Sequence, residues 1–182
     1  MYILQCYYEK IIKPDLLNKF KYTNIKDIPQ LKKIVLNFGC SNQGIKNIAP
    51  ALLSLELLTT KKGNLSKTKN ANIFLKLKKG APIGCYIILK KRLMYQFLFK
   101  LLIEIFPTLK DFKGIPFVIK KNKFNSFSFY IKDLMAFKEF SNHFYLFNNL
   151  PSLNITVNSN TTTESEFIYL LKSFKLPLLI KK

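Results

Sequence analysis

Apolar residues recur along this chain with two different periods, and the switches between them mark out its elements. Over residues 2–20, Ile11, Ile12, Leu16, Leu17 and Phe20 fall at helical spacing. This predicts a helix or helix pair, with Pro14 either kinking it or starting its second half. Pro29 breaks the pattern. In Leu31–Gly39 the period drops to two, so Ile34, Leu36 and Phe38 face one side of a strand and Val35 and Asn37 the other. A polar loop over 39–47 leads into a helix over Ile48–Thr59. Asn47 is placed to cap that helix, and Pro50 is tolerable in its first turn. A short strand over 65–69 is expected to pair with one over 84–90, leaving 70–83 to project between them.

The stretch 93–106 is apolar on nearly every side, which predicts a largely covered helix stopped by Pro107. Residues 117–124 read as a lysine-bearing loop and 135–150 as irregular. Phe127, Phe129 and Ile131 alternate with Ser128 and Tyr130 in one strand. Leu153, Ile155 and Val157 alternate with Asn154, Thr156 and Asn158 in another. Thr163 and Glu166 have the spacing of a capping box, opening a last helix that turns Phe167, Leu170, Leu171 and Phe174 inward. Pro177 lies past its end.

This order of elements predicts an α+β fold: an antiparallel-rich sheet with helices packed on one face. The opposite face is then free for a ligand, and it carries Asn37, Asn154, Thr156 and Asn158. Amides and hydroxyls suit the base edges and 2′-hydroxyls of RNA, and they suit water equally well. The 182 residues fit one domain. Its parts would be a helical segment 1–28, a sheet and helix core 29–114, and a final part 115–182 that completes the sheet and adds the closing helix.

Charge narrows the partner. The formal net charge is +20, from 30 cations against 10 acids, on a chain that is 48% apolar and too hydrophobic to be a disordered basic tail. A packed core under such a surface needs a polyanion, with nucleic acid ahead of an anionic membrane or an acidic protein. Residues 57–103 hold eleven cations and no Asp or Glu. Arg92 is the only arginine, and Phe, Ile and Asn are abundant, as in a chain from an AT-biased genome. That bias explains lysine in place of arginine. It does not explain why acids are missing from one quarter of the chain.

Catalytic chemistry is not visible. Gly39 to Lys46 (GCSNQGIK) approaches a phosphate loop, but Ile45 and Asn47 stand where lysine and the magnesium-binding hydroxyl are required. His143, the sole histidine, has no nucleophile or carboxylate clustered near it. Asp111 reads as a loop-fixing residue after a proline, and Cys85 as packing within a strand. Cys6, Cys40 and Cys85 are odd in number, widely spaced and without a CxxC, so neither a disulfide framework nor a zinc site is expected. Phe97, Phe99 and Phe106 read as helix core, and strand packing is favoured over base stacking for Phe124, Phe127 and Phe129. No cofactor, metal or membrane span is expected, and neither is a presequence. The longest apolar run contains Lys100 and Glu104 and is too short to cross a bilayer.

One stretch is specific enough to name. Lys79-Gly80-Ala81-Pro82-Ile83-Gly84-Cys85, then Met94, Phe97 and Leu102, then Pro107 and Asp111-Phe112-Lys113-Gly114, resembles the central signature of the bacterial-type L-five family of large-subunit ribosomal proteins. The likeness extends over nearly the whole chain. It includes Tyr7-Tyr8, Ile28-Pro29, Lys33-Ile34, Leu36-Asn37, Ser128, Lys132-Asp133 and Leu153-Asn154-Ile155-Thr156-Val157. It departs where Leu75 replaces a usual Phe, Ile88 a usual Thr, Lys61 a frequent Gln and Tyr130 a common Gly.

The resemblance implies a non-catalytic protein of the central protuberance that holds 5S rRNA against a sheet face. It implies rRNA contacts at Asn37, Lys33, Lys61, Lys67, Lys69 and Lys90. The projecting connection, with Lys76, Lys78, Lys79, Gly80 and Pro82, would reach P-site tRNA. The loop Asp111, Phe112, Lys113 and Gly114 would meet a small-subunit head protein of the S-thirteen family. Large-subunit rRNA and neighbouring large-subunit proteins complete the implied partners. The composition and the absence of a presequence point to a mitochondrial ribosome, with a plastid or a bacterial cytoplasm as the alternatives. Two other readings stand beside this one: an RNA-binding or assembly protein with a diverged RNA partner, and a protein of anionic membrane surfaces. The second would need a basic amphipathic helix, whereas these cations sit on strands and loops.

Overall fold

A computed structural model describes residues 3–40, 47–74, 77–110, 112–117, 125–141 and 143–180. The chain opens with α1 (Ile3–Tyr7), a π-helical turn (Tyr8–Ile12) and α2 (Lys13–Lys19), which run on as one helical stretch. Pro14 lies in the first turn of the second half, which decides between the two roles the sequence leaves open. The π turn supplies the means: the amide of Lys13 reaches back to the carbonyl of Tyr8, five residues away. A wider turn relieves the clash between a proline ring and the carbonyl four residues before it.

The same device recurs in the central helix. It comprises α4 (Lys91–Lys100), a π turn (Leu101–Ile105) and α5 (Phe106–Thr108), and the amide of Phe106, just before Pro107, bonds the carbonyl of Leu101. The expectation that Pro107 stops the helix is therefore corrected, because the proline lies inside the last turn and the chain leaves the helix at Leu109. Burial of this helix is one-sided as well. Met94, Phe97, Leu98, Leu101 and Ile105 are sealed, whereas Ile103 is 56% exposed.

The strands are β1 (Leu31–Gly39), β2 (Asn64–Lys67), β3 (Pro82–Leu89), β4 (Ile115–Phe117), β5 (Ser126–Ile131), β6 (Leu153–Ser159) and β7 (Leu178–Ile180). Five form a sheet of order β2-β3-β1-β6-β5, and β4 pairs with β7 in parallel. Within the larger sheet, β2 and β3 are antiparallel, with Leu65 opposite Cys85. Terminal bonds give the sense of the other pairs. Cys40 N–H reaches Ile83 O, Asn160 N–H reaches Gln30 O, and Ser159 N–H reaches Asn125 O, so each strand begins where its neighbour ends. The result is the expected α+β fold with a mostly antiparallel sheet.

The chain falls into two compact units whose boundaries lie inside β1, β3, β5 and β6. One comprises Met1–Ile34, Leu89–Phe129 and Thr156–Lys182, the other Val35–Ile88 and Tyr130–Ile155. In the first, Leu16, Phe97, Leu101, Phe127, Val157, Phe167, Leu170 and Phe174 are buried, and Phe174 stacks on Tyr8 with ring centroids 6.1 Å apart. In the second, Leu36, Phe38, Leu55, Ile87, Ile155, Phe137, Phe140 and Phe147 are buried. The last three correct the expectation of irregular chain over 135–150. That segment holds a 3₁₀ turn and the short helices α6 (Lys138–Ser141) and α7 (Phe144–Phe147), both against α3 (Ile48–Thr59).

Local chemistry at the helix ends is mixed. Asn47 occupies the N-cap of α3 but makes no side-chain capping bond, contrary to expectation; its own backbone is already helical there. The box at Thr163 is complete. Before α8 (Glu164–Ser173), Thr163 Oγ1 accepts from the amide of Glu166, and the Thr163 amide donates to Glu166 Oε2, each at 3.4 Å. Thr163→Ala should cost about 1 kcal/mol of stability. Urea unfolding at neutral pH measures it, and an unchanged midpoint would show that the box contributes nothing.

Candidate nucleic-acid interface

Alternation along the strands divides inward from outward residues, and the two sets differ in kind. In the second unit, Leu36 and Phe38 of β1, Cys85 and Ile87 of β3 and Ile155 of β6 are fully buried. The residues between them, Asn37, Tyr86, Asn154 and Tyr130, are half-buried or exposed, and Asn64 and Ser66 lie on the same side through their pairing with Tyr86 and Gly84. In the first unit the outward residues are Lys33 of β1, Thr156 and Asn158 of β6, and Ser126 and Ser128 of β5. The hydroxyls of Ser128 and Thr156 meet at 2.9 Å. Every outward side chain on β5 and β6 is an amide, a hydroxyl or a phenol. Such a surface offers donors and acceptors without losing core.

Gly84 fixes how closely β3 lies to β1. A methyl group there would run into the carbonyl oxygen of Phe38, so backbone approach and the absence of a side chain are one feature.

The connection between β2 and β3 is a hairpin rather than a loose loop. Beyond an irregularity at Ser66 and Lys67, Thr68 N–H donates to Ala81 O at 2.9 Å, and Gly80 N–H donates to Thr68 O at 3.0 Å. Thr68 Oγ1 donates to Lys78 O at 2.6 Å, and Asn72 and Leu77 exchange two bonds of 2.9 Å. Gly80 has φ +83°, which a β-branched residue adopts only under strain. Lys67, Lys69, Lys78 and Lys79 are exposed along this hairpin and Pro82 is half-buried at its base. Ile73 and Phe74 are 91% and 98% exposed near its end, which no periodicity in the sequence signalled. Lys76, like Leu75, lies outside the described residues.

The remaining predicted contacts are placed unevenly. Lys61 is exposed, but its ammonium donates to Ile88 O at 2.7 Å and so ties the end of α3 to β3. Lys90, Lys91 and Arg92 are exposed at the start of α4, where the helix dipole is also positive, which concentrates the potential. In the 111–114 loop, Asp111 lies outside the described residues. Phe112 stacks on Phe106 with centroids 5.0 Å apart, and Gly114 has φ +112° against Leu179 and Pro177, so both have structural work. Lys113 is exposed. His143 is exposed too, just before α7, with its ring edge-on to Tyr145.

Burial pushes the Cys85 thiol up to about 12, with Cys40 nearby adding to the shift, and it raises Cys40 as well. Neither is a nucleophile at neutral pH. Among the described residues no group of three or more His, Cys, Asp or Glu could hold a metal ion, and no helix is long and apolar enough to cross a membrane. Of the aromatics weighed for stacking, Phe127 and Phe129 are buried, in keeping with strand packing; Phe124 lies outside the described residues, as does the 41–46 part of the near phosphate loop.

Comparison with known proteins gives this surface a context. Residues 82–178 match the model of the C-terminus of the ribosomal L-five family. The chain is 37% identical over 177 residues to the large ribosomal subunit protein uL5m of Reclinomonas americana, covering 96% of this chain and 97% of that one. It is 32% identical to uL5 of Fusobacterium nucleatum, over 94% of this chain and 93% of the other. It is 33% identical to uL5c of Oedogonium cardiacum, over 95% of each. The chain therefore belongs to the ribosomal L-five family, as a structural, non-enzymatic constituent of the large ribosomal subunit.

Proposed function

We propose that the polar face of the five-stranded sheet holds 5S rRNA in the central protuberance, and that the β2–β3 hairpin reaches P-site tRNA. The observation that carries the reading is the contrast across the strands. One side is sealed hydrocarbon, and the other, Val35 and Ile88 apart, carries amides, hydroxyls, phenols and Lys33 on a chain of net charge +20. Groups of that kind reach base edges and 2′-hydroxyls, while lysines at Lys33, Lys67, Lys69 and Lys90 neutralise phosphates. The hairpin suits a second RNA because its own hydrogen bonds hold Lys78 and Lys79 out, beyond the paired part of β2 and β3. The 111–114 loop meets the small-subunit head protein through Lys113, since Phe112 and Gly114 are engaged inside the fold.

The ribosome in question is a mitochondrial one. The 37% identity to uL5m of Reclinomonas americana and the lysine-, isoleucine- and asparagine-rich composition support that placement over a plastid or a bacterial cytoplasm.

The test is to sediment the native protein from cell extract and sequence the RNA that travels with it. 5S rRNA in the large-subunit fraction is the expected outcome, and large subunits that carry this protein with no 5S rRNA would overturn the assignment. At the residue level, Asn37→Ala should weaken binding of a 5S rRNA transcript by about fivefold, the worth of one hydrogen bond near 1 kcal/mol, with an unchanged melting temperature. Early melting with intact affinity would make Asn37 a structural residue instead.

A further inference from the structure

We propose that Tyr130 is a stacking platform for an unpaired base of the RNA on the sheet face, with Lys132 beside it to take the adjoining phosphate. The inference deepens the sheet-face reading above and rests on it.

Tyr130 sits between buried Phe129 and Ile131, so the strand period turns it outward, where 63% of it is exposed. The hydroxyl contact of Ser128 with Thr156, and the bond from Ser159 N–H to Asn125 O, fix the β5–β6 register. In an antiparallel pair that register sets Tyr130 directly across from Asn154, which is exposed on the same side. Lys132, two residues on, holds its ammonium 6.0 Å from the centre of the Tyr130 ring. Three chemistries thus meet at one edge of the face: an aromatic plane, an amide and a cation.

Most of the Tyr130 ring lies in water in the free chain, and the neighbours on its side of the strands, Ser128, Asn154 and Lys132, are polar. Its flat surface can be covered by a nucleobase, since every base has a π-face, while the amide of Asn154 can reach the base edge. The ammonium near the ring adds an electrostatic preference for a phosphate. An apolar protein surface is the poorer occupant here, because it would strip water from Asn154 and Lys132 without pairing them.

The experiment titrates a 5S rRNA transcript with the full chain and with Tyr130→Ala, Tyr130→Phe and Lys132→Ala, each at several salt concentrations. Tyr130→Ala should lower affinity about tenfold or more while leaving the slope of log affinity against log salt unchanged, because stacking releases no counterions. Tyr130→Phe should bind like the native chain. Lys132→Ala should reduce the slope by a little under one. Equal affinity for Tyr130→Ala overturns the proposal. So does a Tyr130→Phe variant as weak as Tyr130→Ala, which would assign the effect to the hydroxyl. Unchanged melting temperatures show that a loss is not unfolding. If the native chain does not bind the transcript, the 5S reading of the face falls by itself. The same variants on unstructured oligoadenylate then decide the stacking: affinity that depends on the Tyr130 ring supports it, and affinity indifferent to the ring overturns it.

Discussion

Phe97→Ala should destabilise the chain by about 3–5 kcal/mol, the range for removing a buried phenyl group when the surroundings relax only partly. Phe97 is 4% exposed, on α4 with buried Met94 and Leu98, and Leu101 in the π turn that follows is buried as well. A loss of that size is comparable to the whole stability of many domains, so the variant should be partly unfolded at 37 °C. Urea unfolding of the isolated protein measures it as a shift in midpoint. Ile103→Ala is the control, since the same helical stretch leaves Ile103 56% exposed and its truncation should cost about 0.5 kcal/mol or less. Equal losses for the two variants would mean that the helix has no preferred inner face.

Removing the charge of the hairpin should have a different signature. Lys76, Lys78 and Lys79 changed together to alanine should leave the unfolding midpoint nearly where it was, since Lys78 and Lys79 are exposed and such lysines bury little apolar area. Large subunits assembled with this variant should still contain 5S rRNA. Their grip on P-site tRNA should weaken. Three phosphate contacts lower the dependence of log affinity on log salt by about 2, so the defect should be about a hundredfold at 0.1 M salt and shrink toward 1 M. Filter binding of tRNA to salt-washed ribosomes reads both the size and the slope. Subunits that lack 5S rRNA would instead assign these lysines to assembly and end the tRNA reading.

The elements legible in the sequence were those whose evidence is local. β1 matched its expected limits because alternation over nine residues requires only that one side of a strand be dry. The helix over Ile48–Thr59, the outward Asn154, Thr156 and Asn158, the pairing of β2 with β3, and the box at Thr163 and Glu166 were readable for the same reason. The family resemblance rested on a short run of glycines, prolines and Cys85, residues whose backbone demands survive change elsewhere.

What the sequence could not disclose depends on partners far along the chain. β4 is three residues long and exists through parallel pairing with β7, about sixty residues later, so neither strand has a period of its own to display. Pro107 reads as a stop from local rules, and the π turn that admits it is a property of the packed helix. Phe137, Phe140 and Phe147 have no clean period because Phe137 lies between a 3₁₀ turn and α6 while α6 and α7 are single turns, ordered by burial rather than by propensity. The interface shows the same division. By itself the sequence determined that a polar strand face and an acid-free, lysine-rich stretch exist, since both follow from residue order alone. Only the tertiary structure decided which cations stand clear, by tying Lys61 to Ile88 O and holding Lys78 and Lys79 out on a hydrogen-bonded hairpin. It also set Tyr130 beside Asn154, because cross-strand register arises from hydrogen bonds between segments that the sequence keeps far apart.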